Sequence, residues 1–165
     1  RGLQEPERLK DVISSVRSYT GPTPLLVKFA PDLETTQIEE LVALAHQAGL
    51  AGLVATNTTV RRDVLVRDPG QAGGLSGGPL APLADDALAK ASRVAQGTGL
   101  QIIGVGGIFT GEDLLRKLVL GASVTQVYTG WVYRGPAGAV KMLLELLDAM
   151  ERERIPDVKS IPRQP

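Results

Sequence analysis

A parallel α/β fold is predicted for this 165-residue chain by three observations. Short apolar segments recur, each is followed by a stretch of helical periodicity, and each ends in polar or glycine-rich residues. The segments are Leu25–Lys28, Leu53–Thr58, Ile102–Gly107 and Val124–Thr129. In such proteins ligands collect at the carboxyl ends of the strands, so these ends are where function is expected.

Composition narrows the class. With 43% hydrophobic and 22% charged residues the chain can bury a core, and a single domain over residues 1–165 is expected. Basic and acidic residues balance at 18 each without a basic block, which points away from nucleic acid and toward a small-molecule partner. The chain contains no cysteine, so disulfides, thiolate metal sites and a cysteine nucleophile are excluded within it. No apolar run approaches the ~18 residues of a membrane span, and Arg1–Pro6 has no signal-peptide pattern. Without an initiator methionine, the chain is expected to start inside a longer reading frame or to have been processed.

The elements follow in order. Leu9, Val12, Ile13 and Val16 recur at helical spacing between Pro6 and Ser18, and Gly21-Pro22 breaks the pattern. Leu25 to Phe29 reads as a buried strand that stops at Lys28, because Pro31 denies the ladder a donor. Thr36 and Glu39 match a capping box for a helix whose face is Ile38, Leu41, Val42 and Ala45 and whose C-cap is Gly49. A second strand, Gly52 to Thr58, precedes a polar, glycine-rich connection from Val60 to Pro79 that is longer than the usual βα loop. Then come a helix from Ala81 to Gln96, a strand from Ile102 to Gly106 and a helix from Thr110 to Leu120 capped by Thr110 and Asp113. The last strand is Val124 to Tyr128; Gly135-Pro136 opens the final helix, with Val140, Leu143, Leu144 and Leu147 as its core face. A charged, solvated tail is expected after about Met150.

Four groups of residues can carry chemistry. Gly104-Val105-Gly106-Gly107 before a helix is either an anion cradle of backbone amides or a tight turn, and Tyr128-Thr129-Gly130 one strand later favours the cradle. Lys28 ends an apolar strand, either as a fixed cation against a ligand that gains negative charge or as a side chain reaching solvent at the rim. Thr56-Asn57-Thr58-Thr59 offers amide and hydroxyl groups without a titratable one, which suits a planar polar ring or a self-bonded turn. Gly73-Gly74-Leu75-Ser76-Gly77-Gly78-Pro79 is a linker or a loop that lets a ligand lie against backbone. His46, Ser14-Ser15, Trp131 and Asp85-Asp86 read as helix-surface or packing residues, and no carboxylate pair, metal cluster or catalytic triad can be assembled.

Five motifs then match one family in order and near its spacing: Val27-Lys28-Phe29-Ala30-Pro31-Asp32-Leu33, Ala55–Thr59, Gly73–Gly77, Ile102–Gly107 and Gln126–Gly130. Over essentially its whole length the chain resembles class 2, quinone-dependent dihydroorotate dehydrogenase. The resemblance implies the carboxyl-terminal half, about four β/α units, of a TIM (β/α)8 barrel. It implies FMN at the strand ends, oxidation of dihydroorotate to orotate in pyrimidine synthesis, and a membrane quinone as second electron acceptor. By the same resemblance Lys28 and Thr56 are flavin contacts, with Lys28 stabilising charge on the reduced ring, and Asn57 and Thr58 are substrate contacts. Gly77, Gly107, Tyr128 and Thr129 match FMN-binding positions, with Ser76, Gly106 and Gly130 as second choices.

The family's base is a serine just upstream of a segment like Gly2-Leu3-Gln4, so no catalytic base is expected within this chain. The quinone-delivering, membrane-peripheral part is likewise expected upstream, at a bacterial cytoplasmic or mitochondrial inner membrane, with this segment itself soluble in cytoplasm or matrix. A second reading is a non-catalytic half-barrel that binds a phosphate ligand, and a third an assembly fragment without a ligand. Four strands cannot close an eight-stranded barrel, so self-association, instability or completion by another chain is expected, and no turnover by the chain alone.

Overall fold

The computed structural model describes residues 6–163 and contains a parallel sheet of four strands in sequential order. They are β1 (Leu26–Phe29), β2 (Gly52–Ala55), β3 (Gln101–Val105) and β4 (Val124–Gln126). Helix α1 (Pro6–Thr20) precedes β1, and α2 (Thr35–Gln47), α3 (Ala81–Val94) and α4 (Gly111–Val119) join successive strands. A short α5 (Thr129–Arg134) and a longer α6 (Gly138–Arg152) complete the helices. A sequential parallel sheet with a helix after each strand is the wall of a TIM barrel, here half of one. The residues around Gly2-Leu3-Gln4 lie outside the described ones.

Register gives the sheet two unlike faces. Val27 aligns with Leu53 and Ile102, and Phe29 with Ala55 and Gly104, so alternation places all of them on one side. There Phe29, Leu53 and Ile102 pack with Ile38 and Leu41 of α2 and Leu88 of α3 in the main core. The other side carries Leu26, Lys28, Val54, Ile103, Val105, Val124 and Gln126. It is open toward both edges, where Leu26 is 42% and Val124 57% exposed, while Val54 on the inner strand β2 is buried. The expected buried first strand is therefore buried on its helix side only. It also runs through Phe29 instead of stopping at Lys28.

A second core joins Leu114 and Leu118 of α4 to Met142, Leu146 and Met150 of α6. This overturns the expected core face of the last helix, since Val140, Leu143, Leu144 and Leu147 are each more than half exposed. α6 is apolar on two sides, and α4 covers the side led by Met142 and Leu146. Nor does Gly135-Pro136 open α6; Gly135 turns the chain at φ +75° and the helix begins at Gly138.

Other boundaries shift by a few residues. The α2 capping box is Glu34 with Gln37, whose side-chain oxygen accepts from the Glu34 N–H at 2.9 Å, so Thr36 lies inside the first turn. β2 ends at Ala55 and β4 at Gln126, short of the expected Thr58 and Tyr128, because the chain leaves the sheet there to form the site. The charged residues after Met150 are exposed, and Ile155 and Ile161 pack against the second core.

Candidate functional site

All four strand ends border one cavity of about 210 Å³. β1 contributes Lys28, the segment after β2 contributes Thr56, Asn57 and Thr58, and the long loop after it contributes Ser76 and Gly77. The β3–α4 loop adds Gly106 and Gly107, and the β4–α5 junction adds Tyr128, Thr129 and Gly130. Every site residue expected from sequence lines this one space. Lys28 is exposed on the open sheet face and not buried, so its charge is presented to the cavity without a desolvation penalty.

Local bonding explains the shape of each wall. After β2, the Thr56 N–H donates to Val105 O at 2.9 Å and the Asn57 N–H to Phe29 O at 2.7 Å, tying this segment to both neighbouring strands. Asn57 Oδ1 accepts from the Thr58 N–H at 2.8 Å, so the self-bonded turn and the cavity wall are the same structure. The long loop is anchored where Thr59 and Leu75 exchange backbone hydrogen bonds of 3.1 and 2.7 Å. The Thr59 hydroxyl also donates to the Asp32 carboxylate. Across the cavity, Thr129 Oγ1 donates to Ser76 Oγ at 3.0 Å.

The glycine loop is built for close approach. Gly107 sits at φ +72°, and a Cβ there would lie 2.3 Å from the Cβ of Ala81, so only glycine fits between the loop and α3. A Cβ on Gly130 would lie 2.0 Å from Ile108 O, so the two loops touch through backbone. Behind them, Thr110 Oγ1 accepts from the Asp113 N–H at 3.2 Å, while Asp113 Oδ2 accepts from the N–H groups of Phe109 and Thr110 at 2.8 and 3.0 Å. Burial opposes ionisation of Asp113, but these bonds and Arg116 outweigh it and hold its carboxyl below the usual range.

The polar part of the cavity lining is one lysine with hydroxyl, amide and backbone groups, beside apolar side chains such as Leu80, Ile108 and Val127, and it has no carboxylate among the described residues. That electrostatic balance suits an anion. Among the described residues no group of three or more His, Cys, Asp or Glu is placed to hold a metal ion.

The family model for dihydroorotate dehydrogenase matches residues 1–150. The chain belongs to the dihydroorotate dehydrogenase family. Curated relatives named dihydroorotate dehydrogenase (quinone) include one from Acaryochloris marina, 44% identical over 98% of this chain and 45% of the relative. Another, from Leifsonia xyli, is 46% identical over 84% of this chain and 42% of the relative. Crystal structures of DHODH from Eimeria tenella, one with ferulenol and one ligand-free, superpose with a TM-score of 0.87 at 31% identity. They cover 98% of this chain and 49% and 50% of theirs. The chain thus spans about half the length of the relatives it matches, and its four β/α units correspond to half of their TIM barrel. Among the described residues no helix is long and apolar enough to cross a membrane.

Sequence reasoning missed the polar framework behind the site. Arg134, Glu145 and the pair formed by Asp85 and Lys117, whose charged atoms lie 2.5 Å apart, are not singled out by sequence as site or support residues, and Asp85 reads there as a helix-surface or packing residue. One signal was present, since Glu145 is a lone acid in the apolar run Met142–Leu147. An acid there is costly unless it has a partner.

Proposed function

We propose that this chain supplies the flavin- and substrate-binding half of a quinone-dependent dihydroorotate dehydrogenase, with FMN as cofactor, in de novo pyrimidine synthesis. The observation that carries the reading is the convergence of Lys28, Thr56–Thr58, Gly106–Gly107 and Tyr128–Thr129 on one cavity without a carboxylate. The donor set fits FMN: glycine amides and the Thr129 hydroxyl for a phosphate at one side, Lys28 and Thr56 for a ring at the other.

When bound, FMN supplies the acceptor for the hydride that dihydroorotate loses as it becomes orotate. Lys28 offsets the negative charge gained by the reduced ring. Asn57 and Thr58 orient the substrate through amide and hydroxyl groups. Proton removal from the adjacent carbon needs a base, and no residue lining this cavity is a carboxylate or histidine. We assign that role to a serine preceding the Gly2-Leu3-Gln4 segment, on the half that completes the barrel, which also brings the quinone at the membrane. With one sheet face and both sheet edges open, the chain by itself is expected to self-associate.

The test is to titrate the chain with FMN and then with orotate. The expected results are quenched flavin fluorescence and an orotate-induced shift of the flavin absorbance that Asn57→Ala and Thr58→Ala diminish, with no turnover of dihydroorotate. Absence of flavin binding, or robust anaerobic flavin reduction by dihydroorotate, overturns the proposal. In a completed enzyme, Lys28→Ala is expected to slow flavin reduction while leaving the melting temperature nearly unchanged.

A further inference from the structure

Two charged residues outside the cavity bond to each other and to backbone groups in and beside its loops. Arg134, at the end of α5, donates from Nη1 to Phe109 O at 2.6 Å and to Glu145 Oε2 at 2.8 Å, and from Nη2 to Glu145 Oε1 at 2.5 Å. Glu145, in the middle of α6, also accepts from the Gly111 N–H at 2.9 Å. Neither side chain lines the cavity, whereas Phe109 does. The N–H of Phe109 is already held by Asp113 at 2.8 Å. Both backbone polar groups of Phe109 are therefore fixed, one from α4 and one from α5.

This arrangement has a direct geometric consequence. The glycine loop after β3 and the Thr129–Gly130 turn after β4 touch where Gly130 meets Ile108 O. Arg134 holds the neighbouring Phe109 O from the end of α5, and Glu145 ties both Arg134 and the first residue of α4 to α6. The α4–α6 packing does not need the pair, because Leu114, Leu118, Met142 and Leu146 already join those helices. What the pair adds is loop position.

We infer that Arg134 and Glu145 are positioning residues that hold the β3–α4 and β4–α5 loops in the arrangement that receives the phosphate of FMN. The inference rests on the flavin reading above. It assigns the pair to the phosphate end and leaves the ring end, at Lys28 and Thr56, untouched.

The experiment compares FMN with riboflavin, which has the same ring and no phosphate, on the 165-residue chain. The wild-type chain is expected to prefer FMN. Glu145→Gln and Arg134→Lys are each expected to weaken FMN binding roughly tenfold, as for loss of one charge-assisted bond, while riboflavin binding stays unchanged. The exchanged pair, Arg134→Glu with Glu145→Arg, restores opposite charges but has no donor for Phe109 O and no acceptor for the Gly111 N–H. It is expected to recover melting temperature without recovering FMN binding. Variants that keep the wild-type preference for FMN, or that lose FMN and riboflavin binding equally, overturn the positioning role alone. A wild-type chain with no preference for FMN overturns the flavin reading, and this inference with it.

Discussion

The Lys117 side chain is fully enclosed, with Nζ 2.5 Å from Asp85 Oδ1. Burial pulls its pKa below the usual 10.5 and Asp85 opposes that shift without cancelling it. A lysine whose folded pKa is depressed costs stability while charged, and the cost is relieved as pH rises from the folded value toward 10.5. Asp85→Asn removes the counter-charge from an enclosed ammonium and is expected to destabilise the chain by about 3 kcal/mol in denaturant melts. Asp85→Asn with Lys117→Met should recover most of that loss. A neutral single variant would show that the pair is not coupled. Sequence could not single out Asp85 from Asp86, because which of two adjacent acids faces α4 depends on how α3 is rotated against it. Lys28 was easier to read, since a charge at the end of an apolar strand is conspicuous whatever the packing.

Helix α6 shows why an apolar pattern alone does not locate a core. Its residues satisfy helical spacing on two sides, and α4 covers the Met142–Leu146 side, leaving Val140, Leu143, Leu144 and Leu147 open. Replacing Leu143 and Leu144 by serine is expected to reduce self-association in sedimentation velocity without lowering the melting temperature. Equal sedimentation of variant and parent would remove that face from the association. The helix also carries a pH-sensitive tie. The bidentate bond from Arg134, reinforced by the Gly111 N–H, lowers the Glu145 carboxyl from 4.5 to about 2. A carboxylate with a depressed folded pKa contributes fully above its unfolded value, so this contribution is present above 4.5 and fades as pH falls toward 2. Protection of the Gly111 amide, taken relative to its intrinsic exchange rate at each pH, should fall across that window in the parent, whereas Glu145→Gln should show low protection throughout. A pH-independent parent would contradict this.

At the scale of the whole molecule, the strand–helix alternation was legible because each strand is a short apolar run bounded by a breaker and each helix has a periodic face. The cavity was legible for the same reason: its walls are the strand ends, and their residues are conspicuous in sequence. What could not be read was which face of the sheet is covered. Leu26 and Leu53 are equally apolar in sequence, yet Leu26 is 42% exposed and Leu53 fully buried, since the helices pack on one side and β1 and β4 each keep an unpaired edge. The separation has a functional side. The main core lies between sheet and helices, and the cavity-lining residues lie at the strand ends, so substitutions that repack Leu53, Leu88 and Ile102 together are expected to change stability with little effect on the cavity.

The bridge between Thr59 and Leu75 also determines where the chain tolerates a break. Val66, midway along the loop, is fully exposed, while both ends of the loop are fastened to each other beside Asp32. A protease should cut near Val66 first and leave the two pieces together in one folded particle. On the flavin reading proposed above, that particle should bind FMN as tightly as the uncut chain, and fragments that separate on native chromatography would refute its integrity. New chain ends, or an inserted domain, could then be placed at Val66 without disturbing the site.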